Sequence, residues 1–308
     1  MGATRVRAAW DVLIVGAGPA GLSAALILGR ARRRVLLCDT GTPRSWASKE
    51  MHAYLSRDGI VPQEFLSIGR RELRRYPAVH FLPQEVTAAR RAGGGFAARL
   101  ADGRRVRSRK LLIATGVFDN VPRIAGIDEL FGRSVFQCPY CDGWEMRDRR
   151  VLAYGRGRRG FEMTRALTAW SDDIVLCTDG AARYSTADRR TLARKGIRLV
   201  EKHISNLEGR RGRLRAVHFS GGERLIRDAM FFDTPSREQS RLAASLGCRF
   251  GRNGGVVCGE YEATSVPGVF VAGNIIRDVQ LSIVAAAEGA RAAFGINRAL
   301  TREDFENQ

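Results

Sequence analysis

Residues 11–15 (DVLIV) form a short apolar run that stops at the turn Gly16-Ala17-Gly18-Pro19-Ala20-Gly21. Helix formers follow over 22–28, and then a second apolar run over 34–39 (RVLLCD). Apolar runs this short, separated by a glycine turn and a helical stretch, predict strand, turn, helix, strand: one βαβ unit of a parallel sheet. The pattern restarts after Arg150 with VLAYG, Arg156-Gly157-Arg158-Arg159-Gly160, a helical stretch over 161–170 and an apolar run over 173–178 (DIVLCT). Two more apolar runs, 110–116 (KLLIATG) and 268–274 (GVFVAGN), read as buried strands ending at turns. A helix is expected to follow the second, over roughly 280–300.

Two such openings predict an α/β chain of two doubly wound, Rossmann-like domains. The second opening lies in the middle, and the late strand and helix read as a returning piece of the first domain. The expected division is therefore 1–120 with 241–308 for one domain and 121–240 for a second, inserted domain. No tandem repeat is present.

At 308 residues and 44% apolar, the chain can bury two cores. Its formal charge of +19 comes from 51 basic against 32 acidic residues. Such an excess could steer an acidic partner or attract nucleic acid. The basic residues form no run of five and are not interleaved with aromatics, so a solvated arginine-rich surface is expected instead and no nucleic-acid partner. Residues 13–28, behind Arg5 and Arg7, superficially resemble a secretory leader. Asp11 and the glycine turn argue against that, and the stretch is too short and glycine-rich to span a bilayer. Six cysteines with one close pair do not make a secreted disulfide scaffold. A soluble, cytoplasmic protein without a membrane partner follows.

Two motifs carry chemistry. In the first turn, Gly16 permits the tight bend, Gly18 lets the backbone approach a pyrophosphate, and Gly21 lets helix pack on strand. The helix N-terminus then offers free N–H groups to phosphate, and Asp39 ends the second strand where ribose hydroxyls would lie. The second motif is Cys138-Pro139-Tyr140-Cys141, a spacing that supports a reversible disulfide at a helix start. Zinc would need a second ligand pair, and no second Cys-x-x-Cys or spaced His pair exists, so no metal is expected.

Together these pieces resemble the low-molecular-weight thioredoxin reductase family of FAD-dependent pyridine nucleotide-disulfide oxidoreductases. The resemblance rests on the N-terminal GAGPAG, ATG at 114–116, CPYCDG at 138–143, the second glycine turn and GVFVAGN before a helix, in that order. It implies an enzyme that passes electrons between FAD and Cys138–Cys141, with Cys141 facing the flavin, Cys138 attacking the partner disulfide and Asp142 exchanging protons with the thiols. It also implies cofactor contacts from Gly16, Gly18, Pro19, Ala20, Gly21 and Asp39. Further contacts would come from Thr115, Gly116, Gly273, Asn274, Gln280 and Leu281. Gly155, Gly157 and Gly160 would form the NAD(P)H turn. The implied partner is a thioredoxin-like protein or a small-molecule disulfide or dithiol, and the implied assembly a homodimer.

The chain departs from the family pattern at several positions. Arg158 and Arg159 stand inside the second glycine turn, and Asp179 follows its strand where NADPH-using members carry basic residues. Asn274 replaces the usual aspartate. The stretch CPYC-x-G-W-E is also similar to dithiol oxidases of the gliotoxin and holomycin type, which carry histidine where this chain has Asp142. The alternative functions are therefore an oxygen-dependent dithiol oxidase without NADPH, and a flavin redox sensor without turnover. Cys38, Cys177, Cys248 and Cys258 read as small core residues. Trp144 is placed to line the mouth of the dithiol, and the segment 49–59 carrying His52 to approach the flavin.

Overall fold

The structure, a computed structural model, describes residues 10–306; Arg5, Arg7 and the outer ends of the expected first domain lie outside them. The chain opens with β1 (Trp10–Val15), α1 (Pro19–Arg30), β2 (Val35–Cys38), α2 (Pro62–Leu73) and β3 (Val79–Leu82). A meander follows: β4 (Val86–Ala92), β5 (Gly95–Leu100) and β6 (Arg105–Ile113), then β7 (Val117–Phe118), α3 (Ile127–Leu130), β8 (Val135–Phe136) and α4 (Pro139–Asp142). The second opening is β9 (Val151–Tyr154), α5 (Gly157–Leu167), β10 (Ile174–Cys177), α6 (Thr186–Arg194) and β11 (Arg198–Val200). A three-stranded meander, β12 (Ile204–Arg210), β13 (Arg213–Phe219) and β14 (Arg224–Ile226), leads to β15 (Ala229–Phe232) and β16 (Arg237–Glu238). The chain closes with α7 (Leu242–Ser245), β17 (Val269–Val271) and α8 (Ser282–Glu306).

The first sheet runs β3-β2-β1-β6-β5-β4. It forks at β6, whose residues 105–108 pair antiparallel with β5 while 111–113 pair parallel with β17. The second sheet, β11-β10-β9-β15-β8, is parallel throughout. The architecture is thus α/β with two Rossmann-like sheets, the first carrying an antiparallel β4–β6 extension on its parallel strands. The chain passes between them along β7 and β16, which pair antiparallel (Phe118 with Arg237, Val117 with Glu238).

Why the central strands read as unbroken apolar runs is visible in the packing. Val12 and Ile14 of β1 face the core under α1 and α8, while Leu13 and Val15 face the opposite core with Leu111 and Ile113. A strand covered on both faces has no polar side to show. Burying each such side chain stabilises by about 1.5–3 kcal/mol. α1 and α8 cross so closely that a Cβ on Gly289 would fall 2.0 Å from the Ala20 carbonyl oxygen.

Three expectations shift. The helix of the second opening spans Gly157–Leu167, not 161–170, because the glycine turn itself supplies its first turn and Thr168 ends it. α8 continues to Glu306. The meanders β4–β6 and β12–β14 were not legible, since β4 (VTAARRA) places arginines side by side rather than alternating. Among the described residues, no helix is long and apolar enough to cross a membrane.

Candidate functional site

A cavity of about 740 Å³ opens at the carboxyl ends of β1 and β2 and is lined on the other side by residues 137–139, 141–142 and 232–234. Its size suits a ligand of small-molecule or cofactor scale. Crevices beyond the carboxyl ends of parallel strands are where such folds bind ligands.

The floor is the first glycine turn. Gly16 adopts φ +104°, and a Cβ there would lie 2.3 Å from the Ala114 carbonyl oxygen, so only glycine fits. A Cβ on Gly21 would lie 1.8 Å from the Gly16 oxygen, which locks the turn against α1. Gly18 behaves differently: a Cβ there meets nothing within 4 Å, because the position borders the cavity. Gly18 caps α1 without any side-chain hydrogen bond, and Pro19 and Ala20 follow on the cavity wall. The first-turn N–H groups of α1 are thereby left for a ligand.

Asp39 shapes this turn directly. Its Oδ1 accepts from the Ala17 N–H at 2.9 Å and its Oδ2 from the Gly41 N–H at 3.0 Å. Each oxygen keeps acceptor capacity toward the cavity. Across from it, Thr115 and Gly116 (φ +69°) line the wall, and the Thr115 Oγ1 is buried with no hydrogen-bond partner. A buried hydroxyl without a partner beside a cavity calls for a ligand. Gly273, Asn274, Gln280 and Leu281 complete the lining. Gly21 alone of the expected cofactor positions stands behind the wall, where it supports the turn.

These features fit a flavin dinucleotide: an open helix N-terminus, a glycine that leaves room, an acidic residue at a strand end and an unpartnered hydroxyl.

The dithiol segment forms the opposite wall. Cys138 and Cys141 are joined as a disulfide with Cα atoms 5.2 Å apart, and both are half-buried. Cys138 caps α4, and its sulfur accepts from the Cys141 N–H at 3.1 Å. Gly143 is needed behind them, since a Cβ there would press to 2.8 Å from the Trp170 ring. Tyr140 and Trp144 stand exposed, with the Arg147 guanidinium 4.2 Å from the Trp144 ring centroid. Burial pushes the Asp142 carboxyl up to about 7; the Glu145 charge adds to the rise and His52 opposes it. Of the other cysteines, Cys38, Cys177 and Cys248 are buried and Cys258 is half-buried.

The second glycine turn lies apart from this lining, which only Arg159 reaches. Gly155 and Gly160 pack as in the first turn, a Cβ on Gly160 falling 2.1 Å from the Gly155 oxygen. Two side chains bond at its rim. Arg156 donates to the Asp179 backbone oxygen at 2.8 Å and its carboxylate at 3.2 Å, and Tyr184 donates to the Gly157 oxygen at 2.9 Å. The other Asp179 oxygen accepts from the Ile204 N–H at 3.1 Å. Asp179, which stands where NADPH-using members carry basic residues, thus accepts on both oxygens, as Asp39 does in the first turn.

Sequence reading missed Arg44 and Asp119 in the cavity wall and Glu288 behind it. The lone charge of Glu288 in the apolar stretch AAAEGA was the one available signal.

A redox disulfide facing a dinucleotide cavity between two Rossmann-like sheets defines a flavoprotein disulfide oxidoreductase. The chain belongs to the pyridine nucleotide-disulphide oxidoreductase family, whose model matches residues 10–289. It is an enzyme, and its cofactor is FAD, with NAD(P)H the family's usual co-substrate. It is 32% identical to thioredoxin reductase tcpT of Claviceps purpurea over 278 residues, 86% of each chain. It is 28% identical to a probable thioredoxin reductase of Arthroderma benhamiae, across 96% of this chain and 82% of the relative. The solved structure of a putative thioredoxin reductase TrxB from Bacillus anthracis superposes with TM-score 0.91 and 34% identity, covering 96% and 99% of the two chains. That of HlmI superposes with TM-score 0.93 and 35% identity, covering 97% and 95%.

Proposed function

We propose that this enzyme relays electrons from an outer donor through FAD and Cys138–Cys141 to an external disulfide, on a thioredoxin-like protein or a small molecule. The observation that carries the reading is the half-exposed Cys138–Cys141 disulfide in the wall of the FAD-type cavity. FAD, when bound, supplies the two-electron chemistry that thiols exchange with a carrier. The α1 N-terminus, Gly18 and Asp39 would hold its pyrophosphate and ribose end, and Thr115 and the segments at 273–274 and 280–281 its remainder. Cys138 meets the external sulfur, Cys141 closes the internal bond, and Asp142 gives or takes the thiol proton. An inserted domain spanning about 121–240 would carry this dithiol past the cofactor site, and the assembly would be a cytoplasmic homodimer.

One observation favours a second reading, an oxygen-dependent dithiol oxidase. At the second glycine turn, where a nicotinamide dinucleotide would bind, Arg156 bonds to the Asp179 carboxylate and Tyr184 to the Gly157 oxygen. An anaerobic titration separates the two. Bleaching of the flavin band near ~450 nm by NADPH or NADH supports the reductase. Bleaching by a dithiol alone, with peroxide on admitting air, supports the oxidase. If neither reagent bleaches the flavin, both readings fail.

A further inference from the structure

Asp142 does not stand alone behind the dithiol. Two ionisable groups act on it, Glu145 three residues on and His52 from the loop before α2. His52 is more enclosed than its neighbours, with 18% of its side chain exposed. Its Nε2 lies 3.6 Å from Glu145 Oε1 and 3.5 Å from Glu50 Oε2, and its Nδ1 lies 3.6 Å from Asp58 Oδ1. Glu145 Oε2 is buried without a hydrogen-bond partner. Exposure rises outward from His52, to 58% at Glu50 and 71% at Asp58.

The loop that presents His52 is tied by its own hydrogen bonds. Met51 donates to the Ile60 carbonyl at 2.8 Å, and Asp58 Oδ1 accepts from the Ala53 N–H at 2.8 Å. Ala53 and Ser56 sit at φ +59° and +70°, a region that costs non-glycine residues energy and is kept where the surroundings enforce it.

We propose that His52 and Glu145 form a proton relay between Asp142 and solvent, with Glu50 and Asp58 at its outer end. The proposal rests on the reading of Asp142 as the proton partner of the thiols. Opening Cys138–Cys141 breaks one S–S bond and takes up two electrons and two protons to make two thiols. A bound reduced flavin would supply both electrons and one proton, so the second proton must come from solvent. Closing the disulfide sends it back. An imidazole can accept a proton on one ring nitrogen and release one from the other, so His52 joins the inner carboxylates to the outer ones. Distances just beyond hydrogen-bond length are closed by a small side-chain rotation. Asp142 and His52 line the same cavity, the charges that reach Asp142 are those of Glu145 and His52, and the acidic groups beside His52 are Glu50, Asp58 and Glu145.

The test uses the FAD-loaded protein, reduced anaerobically with excess dithiothreitol in a stopped flow with a pH indicator, between about pH 5 and 9. Flavin bleaching and proton release are read together in wild type, His52→Ala and Glu145→Gln. The relay predicts bleaching slowed about tenfold in each variant, a displaced pH profile and, in His52→Ala, recovery with added imidazole. A merely structural His52 would lower flavin content or stability without imidazole rescue, and that outcome overturns the relay. So do variants that match wild type in rate, profile and proton release. If dithiothreitol fails to bleach wild type itself, the dithiol reading falls and takes the relay with it.

Discussion

The Arg44 guanidinium grips Asp119 with two arms, Nε to Oδ2 at 2.7 Å and Nη2 to Oδ1, with 23% and 11% of the two side chains exposed. Its third arm donates to Gln280 Oε1, and Gln137 Nε2 donates to Asp119 Oδ2 at 3.3 Å. One cation thus joins the segment before α8, the crossing after β7 and the residue preceding Cys138. Arg44→Ala would leave the Asp119 carboxylate in the wall with Gln137, at a cost of about 2–3 kcal/mol. Arg44→Lys keeps the charge but not the fork, and should recover roughly half of that. Urea unfolding of the FAD-loaded protein measures both. A change below about 0.5 kcal/mol in the alanine variant would show that the clamp contributes nothing.

The two inner glycines of the first turn should fail in different ways. A Cβ on Gly18 meets no protein atom within 4 Å, whereas one on Gly21 falls 1.8 Å from the Gly16 oxygen. Gly18→Ala is therefore expected to fold normally and lose FAD affinity at least about tenfold, its methyl group standing where the backbone should approach phosphate. Gly21→Ala is expected to unfold, or to melt far below wild type with or without FAD. Flavin absorbance per protein and thermal melts of the apoprotein separate the two.

How much of this was legible follows from the range over which each contact acts. Gly16, Gly18, Gly21 and Asp39 lie in one βαβ unit, and Cys138 and Cys141 in one turn, so local spacing announced them. Arg44 finds Asp119 across 75 residues and Gln280 across 236, and nothing in the loop sequence TPRSW marks it. The fork of β6 was hidden likewise, because pairing with β5 and β17 is decided by tertiary contact and not by the pattern of RVRSRKLLI. The second glycine turn shows the opposite failure. Its spacing was readable, but its engagement by Arg156 and Tyr184 comes from side chains that spacing does not describe.

Glu288 gives a pH prediction. Its Oε2 accepts from the Gly273 N–H at 2.7 Å, holding the turn that lines the cavity. Burial pushes its carboxyl up to about 7 from an ordinary value of 4.5. The Gly273 hydrogen bond opposes the rise, and the charges of Glu262 and Asp278 add to it. Between those values the unfolded chain releases the proton while the folded chain keeps it, so stability falls as pH rises through that window and levels off above it. Glu288→Gln still offers an oxygen to Gly273 but removes the titration. The difference in urea midpoint between wild type and Glu288→Gln should therefore change from about pH 4.5 to about pH 7 and be flat beyond. Asp142, raised in the same window, is present in both proteins and cancels in the difference. A difference independent of pH would remove Glu288 as the titrating group.

The two cysteines should not be equivalent once reduced. The Cys138 sulfur is positioned to accept the Cys141 N–H, and a hydrogen bond to a thiolate favours the charged form. Cys138 also caps α4, where the backbone N–H groups of the first turn add partial positive charge. Cys141 receives neither in this geometry and has the rising Asp142 carboxyl as its chain neighbour. Cys138 is accordingly expected to be the thiolate that attacks an external disulfide, and Cys141 the thiol that resolves it. In Cys141→Ser, Cys138 should react with iodoacetamide at neutral pH about tenfold faster than Cys141 does in Cys138→Ser. The first variant should also accumulate a mixed disulfide with a model disulfide, visible by mass spectrometry. Both should remain folded and yellow while disulfide turnover is lost. Equal alkylation rates, or a mixed disulfide trapped on Cys141, would reverse the assignment.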